Sequence, residues 1–218
     1  HDVNNIFKTD DSIDYFIHAA SQASPIFYQK DPVGTLKPNT LGTINLLDLA
    51  IEKKPQAFLY FSSSEVYGDN NSKSINEDQY GIVDPTNIRS CYSEGKKMGE
   101  NICISYKSQY GVKVKIIRPF HIYGPGMSLD DGRVYADFTR SLLNETDLII
   151  NSDGKAIRSF CYLKDATIGF LKVMLNGKIG YPYNIGNPNE SYSIKELADI
   201  LSKDSTDSRC NVIINQPQ

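Results

Sequence analysis

The sequence has 218 residues, 40% of them hydrophobic and 22% charged, with a net charge of −3, which is ordinary globular composition. No basic field exists to draw in nucleic acid or anionic lipid, and no apolar run approaches the roughly 20 residues of a membrane span, so neither partner is expected. The four cysteines form no CxxC pair and only three histidines are present as co-ligands, which disfavours a zinc site and a disulfide framework and makes a reducing compartment the default.

The start, His1-Asp2-Val3-Asn4-Asn5, is polar and lacks signal-peptide architecture. Asp14 to Ala20 reads as a strand. Thr40 to Lys53 carries Leu41, Ile44, Leu47 and Ile51 at helical spacing, and Pro55 ends it. Ala57 to Ser62 is the next strand. Ser93 to Tyr110 is the next helix, with Gly111 placed to cap it. Val112 to Ile117 is a third strand, stopped by Pro119. Strands alternating with long helices imply βαβ units and a parallel sheet. Each strand runs out into a polar cluster: Ala20-Ser21, Ser62-Ser63-Ser64-Glu65 and Arg118-Pro119-Phe120-His121. Ligands of such sheets sit at the carboxyl ends of the strands, so three polar clusters on one edge point to a site.

After Gly126 the pattern changes. Arg133 to Leu143 reads as a helix, Leu148 to Ile150 as a short strand, Ala166 to Leu175 as a helix and Tyr183 to Ile185 as a short strand. Ile194 to Leu201 reads as a helix opened by a capping box of Ser193 and Glu196. The tail from Ser202 is polar and weakly patterned. The expected division is a parallel-sheet α/β domain over 1–126 and a smaller α+β substrate lobe over 127–218, interleaved with it.

Tyr92 and Lys96 stand four apart on a predicted helix and share a face. A lysine ammonium beside a phenol stabilises the phenolate, which lets Tyr92 act as a base near neutral pH. Taken alone, such a pair is as ordinary as any exposed Tyr/Lys pair. Ser63, at a strand end, would hydrogen-bond the oxygen that Tyr92 deprotonates; alone it is a serine-rich turn. The combination carries more: YxxxK begins 29 residues after Ser63, and a further strand then ends in RPFHIYGPG.

The order HAA, SPIFY, NTLGTINLL, SSSEVYG, CYSEGKKMGE, IIRPFHIYGPG, DGRV, IRSFCYLKDA, YNIGNP resembles the extended short-chain dehydrogenases that modify nucleotide sugars. Within that family it is most similar to UDP-glucuronate decarboxylases, through Cys91 to Lys96, Asp131 to Val134 and the Ser64-Glu65 pair. The resemblance implies a Rossmann-like α/β fold with NAD as cofactor and a UDP-sugar as substrate. It also implies a homodimer in the cytoplasm. Chemistry would run through a 4-keto sugar, with Ser63, Glu65, Tyr92 and Lys96 as catalytic residues. Cofactor contacts would be Asp2, Val3, Ala19, Ala20, Ser21, Ser62, Tyr92, Lys96, Pro119 and Ile122. Substrate contacts would be Ser24, Pro25 and Tyr28 in a loop, with Lys37, Ser64, His121, Arg133 and Arg158. Related 4,6-dehydratases carry Asp-Glu after the catalytic hydroxyl. Here the pair is Ser64-Glu65, and serine supplies no acid at neutral pH, so decarboxylation and epimerisation or ketoreduction remain.

The sequence departs from the family in three places. No Gly-rich strand-turn-helix fingerprint occurs, although the family's pyrophosphate rests on one. The expectation is an incomplete sheet lacking about three strands, with Asp14 to Ala20 at an exposed apolar edge and poor NAD binding by the chain alone. His121 stands where the family has Asn, and the chain stops before a late arginine used as an acid. A reading of another class, a non-catalytic remnant that binds a nucleotide sugar or a protein, stays open.

Overall fold

The computed structural model describes residues 9–68, 74–204 and 210–215. Asp2 and Val3 lie outside the described residues. In chain order the elements are β1 (Tyr15–His18), α1 (Pro25–Lys30), α2 (Pro32–Asn39), α3 (Leu41–Lys53), β2 (Ala57–Phe61), a 3₁₀ turn (Ser64–Tyr67), α4 (Ser90–Tyr110) and β3 (Val114–Pro119). There follow β4 (His121–Tyr123), α5 (Val134–Leu143), β5 (Leu148–Ile150), β6 (Ile157–Tyr162), α6 (Leu163–Asn176), β7 (Pro182–Ile185), β8 (Ser191–Ser193), α7 (Ile194–Asp204) and β9 (Val212–Ile214). Two compact units emerge: one of residues 1–23, 27–120 and 166–185, the other of 24–26, 121–165 and 186–218.

The first unit is built on a parallel sheet in the order β1-β2-β3-β7. His18 pairs with Tyr60, Phe61 with Ile117 and Pro119 with Ile185. The strands therefore end together, and the polar residues after each fall on one edge. Alternation splits β2 between two cores. Phe58 and Tyr60 pack with Leu47, Cys103 and Ile116; Ala57 and Leu59 pack with Val173 and Met174. A strand buried on both faces needs an unbroken apolar run, which AFLYF supplies. Removing the Phe58 side chain from this core would cost about 3–5 kcal/mol. β3 carries two charged residues, Lys115 and Arg118; Lys115 Nζ donates to the carbonyls of Met174 at 2.7 Å and Leu175 at 3.1 Å. It thereby neutralises the carbonyl end of α6. β1 is an outer strand of the described sheet, with Phe16 and His18 buried and Ile17 55% exposed.

Gly111 takes the left-handed conformation, φ 72°, and closes α4. Lys54 does the same for α3, φ 50°, directly before Pro55. The loop expected around Ser24, Pro25 and Tyr28 is instead helical. α1 starts at Pro25, and α2 starts at Pro32 with Asp31 capping the Gly34 N–H. Proline suits the first helical turn, where its missing N–H has no partner to lose. α6 begins at Leu163, three residues earlier than its apolar spacing predicts.

The second unit pairs β4 with β6 in parallel, β6 with β8 antiparallel, and β5 with β9 in parallel. Phe138, Leu148, Ile150, Phe160, Leu197 and Ala198 form its core. The capping box closes in both directions: Ser193 N–H donates to Glu196 Oε2 at 2.7 Å and Glu196 N–H to Ser193 Oγ at 3.1 Å. The weakly patterned tail contains β9, whose three residues are too few to show an alternation.

Candidate active site

In the first unit the polar edge of the sheet gathers Ser62, Ser63, Tyr92 and Lys96. Lys96 extends from α4 to the end of β2 and donates from Nζ to the Phe61 carbonyl at 2.6 Å. Its ammonium lies 5.3 Å from the Tyr60 ring centroid and 5.8 Å from that of Tyr92. The helix can come this close because Gly99 faces β2: a Cβ there would overlap the Tyr60 hydroxyl. Lys96 is only 3% exposed. Burial pulls its pKa down to about 7, against the opposing pull of the Glu100 carboxylate.

Ser63 caps the 3₁₀ turn, its Oγ accepting from the Glu65 N–H at 3.2 Å. That bond uses an oxygen lone pair and leaves the hydroxyl proton to be donated elsewhere. The turn packs on α4. Ser64 is half-buried and Glu65 exposed. Tyr92 is buried, and its ring stacks on Tyr28 with centroids 5.3 Å apart and planes 14° apart. Burial pushes the Tyr28 hydroxyl up, while the Arg89 guanidinium beside it pulls the other way and the Glu65 carboxylate adds to the rise. Lys37 is exposed in the last turn of α2.

Ala19, Ala20 and Ser21 follow β1, and Pro119 ends β3, at the same edge as Ser62. Ser21 Oγ accepts from Asn39 Nδ2 at 3.1 Å. Ser62 Oγ donates to Glu100 Oε1, so its proton is already committed within the protein. His18 is buried beside this edge. Its Nε2 lies 3.2 Å from the Pro38 carbonyl, which can only accept, so Nε2 carries a proton. Burial lowers its pKa to about 4, with Lys96 adding to the fall.

The second unit gathers the other expected residues. Ser24 Oγ donates to the Asp131 carbonyl at 2.6 Å, and Pro25 follows at the start of α1. Arg133 pairs with the Asp131 carboxylate, Nη2 to Oδ2 at 2.9 Å. His121 and Ile122 lie on β4, and Arg158 is exposed on the neighbouring strand β6. Burial, then the charges of Arg158 and Arg133, hold His121 down to about 4. It is a neutral imidazole among cations at neutral pH. Sequence reasoning placed Arg118 in a strand-end polar cluster and left Glu100 without a role, and it missed that the two pair. Glu100 does continue the four-residue spacing of Tyr92 and Lys96.

The profile of the NAD dependent epimerase/dehydratase family matches residues 1–186. UDP-glucuronic acid decarboxylase 6 of Arabidopsis thaliana is 41% identical over 191 residues, covering 88% of this chain and 55% of that protein. The chain thus spans about half the length of the curated relatives it matches. Among solved structures, Pal from Bacillus thuringiensis superposes with a TM-score of 0.83 at 26% identity, over 95% of this chain and 64% of the other. The UDP-glucuronic acid 4-epimerase of Bacillus cereus, solved with UDP-glucuronic acid and NAD, superposes with a TM-score of 0.71 at 29% identity, over 86% of this chain and 58% of the other.

Proposed function

Because the chain belongs to the NAD dependent epimerase/dehydratase family, we propose that it takes part in NAD-dependent modification of a nucleotide sugar, with decarboxylation of UDP-glucuronate as its reaction. The observation that carries this reading is the buried Lys96 ammonium beside the Tyr92 ring. A charged group under a phenol lowers the cost of making the phenolate. Tyr92 is the base that takes the sugar 4-hydroxyl proton, and Ser63 donates its free hydroxyl proton to the same oxygen. Bound NAD supplies the hydride acceptor and, later, the hydride donor. Once C4 is a ketone, the carboxylate of a glucuronate is β to it, and loss of carbon dioxide sends electrons into that ketone.

The residues present fit the nicotinamide-ribose half of the cofactor. Among the described residues the Lys96 ammonium donates to the Phe61 carbonyl alone, which leaves two buried N–H groups for a pair of hydroxyls. In this reading Ala19, Ala20, Ser21, Ser62, Pro119 and Ile122 line the cofactor. Ser24, Pro25, Tyr28, Lys37, Ser64, His121, Arg133 and Arg158 meet the substrate, and Glu65 stands beside the reacting carbons. The assembly is taken to be a homodimer in the cytoplasm, which size-exclusion chromatography and cell fractionation would check.

The test is incubation of the complete protein with UDP-glucuronate and NAD, with mass analysis of the products. Release of carbon dioxide and formation of a UDP-pentose are expected. An isomer of unchanged mass would make it an epimerase instead, and binding without turnover would leave a non-catalytic sugar-binding module.

A further inference from the structure

Tyr92, Lys96 and Glu100 succeed one another at four-residue steps along α4 and so share a face. The Glu100 carboxylate is held from two strands. Ser62, at the end of β2, donates to Oε1; Arg118 on β3 donates from Nε to Oε1 at 2.9 Å and from Nη2 to Oε2 at 2.7 Å. Arg118 is itself anchored, through Nη1, to the Tyr67 hydroxyl at 2.7 Å and the Glu77 carbonyl at 3.0 Å. The Tyr67 hydroxyl in turn donates to Asn184 Oδ1 on β7 at 2.7 Å. The carboxylate therefore has no freedom to turn away from α4.

A pair this secluded, with side chains 10% and 14% exposed, adds little net stability over an apolar pair of the same shape, because both ions have lost their water. Its place one turn beyond Lys96 supplies another reason for it. The Lys96 ammonium is buried against a neutral carbonyl, and burial alone would strip its proton. Around it stand His18 on β1, Tyr60 on β2, Tyr92, Glu100 and Cys103 on α4, and Arg118 on β3. His18 is neutral. Burial keeps the Tyr60 phenol and the Cys103 thiol protonated. The Arg118 charge is spent on Glu100. Among the described residues, Glu100 is the anion that faces Lys96.

We propose that Glu100 is a positioning residue for the Tyr92–Lys96 pair: clamped by Arg118 and Ser62, its carboxylate keeps the buried lysine charged and aimed at the tyrosine. The proposal rests on reading Tyr92 and Lys96 as the working pair. Its test reads only the charge on Lys96.

The protein is prepared with ¹³C at the lysine ε-carbon, and each resonance is followed by NMR as pH is raised. A Lys96→Arg sample identifies the Lys96 signal. In the native sequence its midpoint is expected near about 7. In Glu100→Gln the midpoint should fall by about one unit or more, a tenfold loss of proton affinity. Glu100→Gln leaves Arg118 without a counter-charge and so strains folding. The double variant Glu100→Gln/Arg118→Met removes both charges and should show the same fall. Ser62→Ala removes one hydrogen bond but no charge, so its midpoint should stay close to the native one. A fall in either charge variant supports the proposal. A native midpoint in both overturns it, and because no substrate enters the measurement, the proposed reaction would be left standing.

Discussion

The ring of Tyr28 lies nearly parallel to the ring of Tyr92, 14° between planes and 5.3 Å between centroids. Tyr28 comes from the short helix α1 and Tyr92 from the first turn of α4, so the stack fixes the Tyr92 ring from outside its own helix. An aromatic pair of this kind contributes about 0.5–1.5 kcal/mol beyond area burial. In the complete protein, Tyr28→Phe keeps the stack and should hold the proposed turnover of UDP-glucuronate within a few-fold. Tyr28→Leu loses it and should lower kcat about tenfold or more. Steady-state kinetics of both variants decide the matter. Equal losses would show that the hydroxyl beside Arg89, and not the ring, is what counts.

Tyr92→Phe removes one oxygen and, with it, the proposed base. Turnover should drop by about 10²–10⁴, the usual contribution of a positioned acid or base. Binding of UDP and the denaturant midpoint should stay near native, since the stacked ring remains. Tyr92→Phe activity within a factor of a few would sink the assignment of the base.

Burial of neutral His18 makes stability depend on pH. Its pKa is about 4 when folded, against 6.5 unperturbed. A depressed value means that the unfolded chain binds more protons between these limits. The contribution is therefore present in full above about pH 6.5 and lost as pH falls through about 4. At most about 3 kcal/mol is at stake for a shift of this size. Urea unfolding at pH 7 and pH 4.5 should show the loss, and His18→Gln should flatten the slope. His121, also lowered to about 4, acts in the same direction. Lys96 acts in another window: its burial penalty is full below about pH 7 and is relieved as pH rises toward 10.5.

Much of this was legible in the residues. AFLYF is apolar at every position because both faces of β2 are buried, Gly111 marks the end of α4, and Ser193 with Glu196 marks the start of α7. What escaped did so for physical reasons. α1 and α2 begin at Pro25 and Pro32, and α2 contains Pro38; proline reads as a breaker unless one knows that it occupies a first turn. β8 and β9 have three residues each and exist only through their partners. The clamp of Arg118 on Glu100 joins a strand to a helix 18 residues apart in sequence, and no local spacing encodes that meeting.

Arg158 offers a test confined to the second unit. It is exposed on β6, and its Nη1 donates to the Ile157 carbonyl at 2.9 Å. Among the described residues no carboxylate pairs with it, whereas Arg133 has Asp131. A guanidinium without an anion suits a diphosphate, and losing such a charge-assisted contact typically costs about 2 kcal/mol or more. Arg158→Ala in the complete protein should weaken UDP binding more than tenfold by calorimetry. The same variant should raise the pKa of His121, because one of the two cationic charges that lower it is gone. It should not bring the imidazole back to 6.5, since burial is the larger cause. NMR of the histidine ring carbons reads this directly. A His121 midpoint that rises while UDP affinity stays native would place Arg158 beside His121 but remove it from the substrate site.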